Sequence, residues 1–407
     1  MPSTEVDRHS CAGRNPLRKE RGSDPNERDP SLRWDDNTKD PRAGGDDALL
    51  AICEKPLKGE RITESELLIL LQATDLSTLG DYANRVRWMK HPDPTATYNI
   101  DRNINYTNIC VATCSFCAFK RKAGESDAYV LTQEVIDKKI EELMAVGGRQ
   151  ILLQGGMNVE LPLEYYTTML SHIKKKYGIH IHAFSAPEIH VIARLSKLSY
   201  EDTLSRLREA GLDSLPGGGA EILSPKNRTE IGHGKCTADQ WISVHRAAHS
   251  IGMRSTATMM YGHIESLEER VEHFKRIRDL QDETLRVHSG QASGFTAFIS
   301  WTFQPDHTEL GPRAKIVGSF EYLKVQAISR LYLDNIDNIQ SSWVTQGPKI
   351  GQIALLYGAN DLGSTMLEEN VVSAAGTTYS LAEADLIKMA EEAGLTPQRR
   401  NFFYDVA

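Results

Sequence analysis

A TIM-like (β/α) barrel of class α/β, preceded by an N-terminal helical cap, is the fold the sequence predicts. Three observations predict it. Strand-like and helix-like segments alternate close to eight times between about residues 98 and 400. The glycine-rich and polar motifs each fall just after a strand-like segment, where barrels of this kind keep their active sites. A leucine-rich segment of helical character, 46–90, comes before the first strand.

In chain order, residues 1–45 are rich in Arg, Asp, Pro, Ser and Gly and poor in apolar residues, which predicts a disordered polar tail. Their acidic residues are unlike those of a transit peptide. Residues 46–97 are expected to form the helical cap; Thr63 followed by Glu66 before LLILLQ is a capping-box pattern. The barrel is expected over 98–400. Its strands are expected at 98–109, 149–154, 179–184, 212–215, 253–260, 295–301 and 336–342, with a short segment near 360–365. Helices are expected over 132–146, 162–176, 200–210, 237–251, 265–281, 319–334, 347–357 and 381–393.

The chain has 407 residues, 40% of them apolar and 25% charged, the balance of a globular protein. A net charge of -8 argues against a nucleic-acid partner. No apolar run is long enough to span a bilayer, and the polar start carries no apolar signal segment. The expectation is a cytoplasmic protein with no membrane insertion. Of the six cysteines, Cys11, Cys53 and Cys236 are scattered, too sparse for a secreted disulfide framework. A reducing compartment fits them better.

The other three, Cys110, Cys114 and Cys117, lie in CVATCSFC with the spacing C-x3-C-x2-C. Three thiolates can hold three irons of a cubane cluster and leave the fourth iron without a protein ligand, whereas closed clusters usually take four cysteines. A zinc site wants four ligands, often as paired C-x2-C, and no nearby His or Cys completes one. A redox pair would not need Cys110. The spacing therefore favours an open cluster, able to bind a small molecule. Phe116 has two readings: a surface on which a bound adenine packs, or simple loop packing.

C-x3-C-x-aromatic-C after the first strand of a barrel resembles the radical S-adenosylmethionine (SAM) superfamily. The resemblance implies a radical SAM type of barrel and a [4Fe-4S] cluster held by the three cysteines. It implies S-adenosyl-L-methionine on the open iron, and reductive formation of a deoxyadenosyl radical. It also implies an external one-electron reductant of flavodoxin or ferredoxin type. Gly155 and Gly156 would contact the SAM amino group, with Met157 where the superfamily often has Glu; an ordinary turn is the alternative. Ser185 and Glu188 would contact SAM or substrate, or Glu188 would start a helix where its charge suits the dipole. His180 and His182 alternate on one strand face and read as packed barrel histidines. Glu221, in PGGGAE, sits where related enzymes reach the SAM ribose, a surface turn being the alternative. Glu265, Asp337 and Glu221 are the candidate proton acceptors. Asp337, Gln340, Ser342, Trp343 and the stretch 360–370 make this end of the barrel polar and are expected to line a substrate pocket or form an internal network. Lys349 and Arg313 are candidate partners for a substrate carboxylate.

Over roughly residues 60–400 the chain resembles one group within that superfamily, the cyclic dehypoxanthine futalosine synthases of the futalosine route to menaquinone. QGGMN, HIHAFSAPEI and SLPGGGAEIL carry the likeness; DNIDNIQSSWVTQGP and NDLGSTMLEEN discriminate best. The resemblance implies a small, nucleoside-like substrate, hydrogen abstraction at its ribose C4′, and radical addition to its aryl ring. The aminofutalosine synthases and deazaflavin synthase subunits share the cysteine loop and barrel and are the alternative. An iron–sulfur electron-transfer protein is the alternative outside enzymes. The tail 1–45 departs from the family pattern, as does 285–294, which reads as an insertion on the face opposite the active site.

Overall fold

The structure is a computed structural model, and it describes residues 43–288, 293–377 and 379–406. Most of the expected polar tail lies outside the described residues, as do 289–292 of the expected insertion. Asp46–Ala407 forms one compact unit.

Three helices precede the barrel, Ala43–Glu54, Glu64–Gln72 and Leu76–Lys90. The expected capping box starts the second: Glu66 N donates to Thr63 Oγ1 at 3.3 Å and Thr63 N to Glu66 Oε2 at 2.9 Å. Leu67, Leu70, Leu71 and Leu79 are fully buried. Leu67, Leu70 and Leu71 form one face of the second helix, Leu79 is buried on the third, and both helices pack against helix Ser319–Tyr332.

The first barrel strand has two halves, β1 (Thr95–Asn99) and β2 (Asp101–Asn105). Then come β3 (Gln150–Gln154), β4 (His180–Ala183), β5 (Ser255–Tyr261), β6 (Phe295–Thr302), β7 (Asn338–Gln340) and β8 (Asp361–Ser364). Every ladder among them is parallel. Between β4 and β5 the ring is carried by single bridges at Ser214 and Leu215. The fourth expected strand is reduced to these bridges because Pro216 has no amide to donate and three glycines follow it. Pairing of Thr97 with Asp361 and Asn99 with Ser364 closes the ring. Eight strand positions result, at the places the alternation predicts.

Among the elements outside the expected ranges, three bear on the site. Ser185 caps a helix, Ala186–Ser196, with Glu188 as the capping-box acid. Pro225–Ile231 is a short helix. The last strand, β9 (Thr396–Arg399), pairs in parallel with β1 outside the eightfold ring.

What positions the site is the parity of the strands. On β2 and β3, Ile104, Ile151 and Leu153 face the helices, while Asp101, Asn103, Asn105, Gln150 and Gln154 face the lumen. Barrels of this kind usually fill their interior with branched apolar side chains. Here polar side chains of β2 and β3 enter the lumen beside apolar ones such as Leu152. An extra residue in β6, between the pairs Ser255–Phe295 and Ala257–Phe298, shifts parity so that Ile299 and Trp301 also face inward. The C-terminal segment plugs the floor. Arg400 pairs with Asp361, its Nη2 at 2.8 Å from Oδ1, and Phe402 stacks on His180 at 4.8 Å.

Candidate active site

The lumen opens into a cavity of about 440 Å³, lined by residues from every strand of the ring. Cys110, Cys114 and Cys117 sit at its mouth, on the loop that follows β2. Backbone bonds fasten this loop on three sides. Val111 N donates to Met157 O at 3.1 Å, Thr113 N to His233 O at 2.9 Å, and Leu310 N to Ser115 O at 2.9 Å. Lys120 Nζ donates to the carbonyls of Cys114 and Cys117 at 2.6 and 3.2 Å. Burial pushes the Cys114 thiol up to about 12 and raises that of Cys110. A cation bound among them would reverse that, since a coordinating thiol is deprotonated. No three His, Cys, Asp or Glu among the described residues converge to hold a single ion.

The turn Gly155-Gly156 lies directly behind this loop. A Cβ on Gly156 would lie 2.2 Å from Ile109 O, and one on Gly155 2.8 Å from the Tyr106 ring. The glycines are needed for close backbone approach to the cysteine loop. Both also line the cavity.

Ser185 and Glu188 border the cavity, but their polar atoms are committed. Glu188 accepts from Ser185 N, Ser185 Oγ, Tyr106 Oη and Gly155 N at 2.6–2.9 Å. Burial raises its pKa against the opposing pull of those donors. Of the two roles expected for Glu188, the structure displays the cap. It also braces the glycine turn.

Glu221 is built differently. It adopts a left-handed backbone, φ 44°, in the turn before helix Pro225–Ile231. Its Oε1 pairs with Lys235 Nζ at 2.5 Å, while its buried Oε2 has no partner. An orphaned acceptor beside the cysteines suits a ligand hydroxyl. Burial works against the Lys235 ammonium, yet the charge of Glu221 leaves its pKa raised. Lys235 also lies 5.0 Å over the ring of Phe116, which packs beside the cysteines. Sequence reasoning missed Lys235, because nothing local marks it as a partner of either residue.

Four nominations are corrected. Glu265 does not line the cavity. It accepts from Gly262 N at 2.7 Å and His263 N at 2.9 Å and pairs with Arg270 at 2.7 Å, fixing the turn after β5. Burial opposes its charge, yet His263 and Arg270 leave its pKa lowered, which suits a fixed carboxylate and not a base. Asp337 precedes β7, so it lies at the N-terminal end of the barrel, opposite the mouth; its side chain is 78% exposed and meets Lys90 at 3.0 Å. Lys349 is exposed, and Arg313 is paired with Glu230 on the surface.

Gln340, Ser342 and Trp343 line the cavity, as do Gly363, Ser364 and Glu369 from the stretch 360–370. His180 and His182 share the Ser214 hydroxyl at 2.8 and 2.7 Å, packed as expected. The polar residues of β2 and β3 were missed, although D-x-N-x-N at period two was a legible signal.

Comparison with known proteins identifies the family. Residues 104–277 match the radical SAM superfamily, and residues 292–407 match the CofH/MqnC C-terminal region. Cyclic dehypoxanthine futalosine synthase of Halalkalibacterium halodurans is 47% identical over 87% of this chain and 94% of its own length. Aminodeoxyfutalosine synthase of Thermus thermophilus is 38% identical over 88% of this chain and 96% of its own. Among solved structures, methylornithine synthase superposes with a TM-score of 0.65 at 19% identity, covering 86% of this chain and 97% of that one, a likeness of fold.

Proposed function

We propose a radical cyclisation for this chain, from the premise that it belongs to the radical SAM superfamily, in the branch marked by the CofH/MqnC C-terminal region. The enzyme converts dehypoxanthine futalosine to cyclic dehypoxanthine futalosine in the futalosine route to menaquinone. Hydrogen abstraction at the ribose C4′ is followed by radical addition to the substrate's aryl ring and loss of an electron and a proton. One observation carries the reading. The three-thiol loop of the radical SAM part and the polar residues of the C-terminal region, Gln340, Ser342 and Glu369, line a single cavity.

A [4Fe-4S] cluster and SAM, when bound, supply the 5′-deoxyadenosyl radical. Cys110, Cys114 and Cys117 are the ligands we assign to the cluster. Glu221 offers its unpaired Oε2 to the SAM ribose, and Phe116, held beside Lys235, offers a face to the adenine. Gly155 and Gly156, which line the cavity behind the loop, would contact the SAM amino group. The polar side chains among the apolar walls of the lumen give a nucleoside-like substrate hydrogen-bonding partners. A flavodoxin- or ferredoxin-type donor would deliver the electron. Among the described residues no helix is long and apolar enough to cross a membrane.

The test is anaerobic turnover of the reconstituted full chain with SAM, a one-electron reductant and dehypoxanthine futalosine. Equal amounts of 5′-deoxyadenosine and cyclised product are expected. No cyclised product, with turnover instead on the substrate of an aminodeoxyfutalosine synthase, would overturn the reading.

A further inference from the structure

Ring closure onto an aryl carbon leaves a hydrogen on that carbon, and rearomatisation must remove it. Proton transfer to a side chain needs an acceptor within hydrogen-bond reach. Among the described residues four carboxylates line the cavity: Asp101, Glu188, Glu221 and Glu369. Glu188 already accepts four hydrogen bonds. Glu369 accepts from the Val371 and Val372 amides at 2.7 and 2.8 Å and from Asn103 Nδ2 at 3.0 Å. Glu221 is ion-paired at the cysteine end.

Asp101 stands apart. Its Oδ1 accepts from Ser364 Oγ at 2.5 Å, but its Oδ2 meets only Gln150 Nε2, at 3.4 Å, a weak contact. Ser364 Oγ in turn accepts from Met366 N at 3.2 Å, which orients its hydroxyl toward Asp101. Asp101 is 7% exposed. It begins β2, roughly 13 Å below the end of that strand that leads into the cysteine loop.

Resting on the cyclase reading, we propose that Asp101 Oδ2 takes the aryl proton during rearomatisation and that Ser364 is its positioning residue. The ring C–H bond breaks and its proton goes to Asp101. Its electron pair stays in the ring, and the ring's surplus electron passes to an oxidised iron–sulfur cluster as one-electron acceptor. The substrate thereby loses one hydrogen atom at C4′ and, from the ring, one proton and one electron.

The setting suits a base. Burial pushes Asp101 up to about 6, opposed by Ser364, Arg400 and Gln150 and assisted by Glu369. The other titratable groups on the packed elements are His180 and His182 on β4, Asp361 on β8 and Tyr404 in the C-terminal segment.

The experiment measures 5′-deoxyadenosine and cyclised product separately in the reconstituted full chain. In the wild type the product per deoxyadenosine falls below about pH 6 as Asp101 protonates. Asp101→Asn still forms deoxyadenosine, lowers product about 100-fold and accumulates a substrate radical seen by electron paramagnetic resonance in freeze-quenched samples. Ser364→Ala, which removes a hydrogen bond to the charged form, moves the acid limb up by about one pH unit. An unchanged product ratio in Asp101→Asn overturns the assignment. If that variant loses its fold or cluster, by circular dichroism or cluster absorbance, an unshifted limb in Ser364→Ala overturns it instead. Absence of cyclised product in the wild type overturns the cyclase reading itself, and this assignment with it.

Discussion

Glu188 and Glu221 are the same residue type at the same cavity, yet their neighbours give them opposite roles. Four donors saturate Glu188, so it supports the turn beside it. Glu221 keeps one buried oxygen without a partner and is therefore available to a ligand. Gly156 shows the same dependence on surroundings. Its missing Cβ would overlap a backbone carbonyl, Ile109 O, which no side-chain rotation can relieve. Gly156→Ala is expected to displace the cysteine loop at a cost of about 1–3 kcal/mol. Iron bound per chain after reconstitution should fall well below the wild type, with all three cysteines intact. Full iron content together with an unchanged melting temperature would refute this.

Among the elements, the C-terminal segment carries more than its length suggests. β9 extends the sheet beside β1, and the next residue, Arg400, turns under the barrel to meet Asp361, which is fully buried. Asp361 also accepts from Thr97 Oγ1 at 2.6 Å and Gly363 N at 2.8 Å, so this contact joins β1, β8 and the tail. Removing one partner of a buried pair leaves an uncompensated charge, at about 3–5 kcal/mol. Arg400→Ala should lower the melting temperature by that equivalent, and adding Asp361→Asn should restore part of it. Additive losses in the double variant would show that the two side chains do not act as a pair.

The whole molecule carries a pH signature from its buried histidines. His182, His245, His249 and His273 are at most 7% exposed. Burial holds His249 and His273 at about 3 and takes His182 and His245 well below the usual imidazole range. Their unfolded pKa lies near 6.5, so below that pH the unfolded chain binds protons the folded chain refuses. Stability therefore falls as pH drops below about 6.5, by on the order of 1.4 kcal/mol per pH unit for each histidine. Asp101, raised to about 6, opposes this as it protonates in the fold, and Glu188 and Glu369 shift the same way. Four histidines outweigh Asp101 between pH 6.5 and 5. Melting temperatures measured from pH 7.5 to 5 should decline, and a flat profile would contradict the linkage. The strand–helix alternation and the three-thiol loop were legible in the chain because each is set by neighbours in sequence. The strand at 212–215 shrank to two bridges because Pro216 withholds a donor, and Asp337 was misjudged because it precedes β7, at the end of the barrel away from the mouth. By itself the sequence determined a barrel with a three-thiol loop after its first strand. Only the tertiary structure decided which carboxylates enter the lumen. That choice depends on strand parity and on ring closure between β1 and β8, and on partners such as Lys235, Ser364 and Arg400, which no local pattern connects.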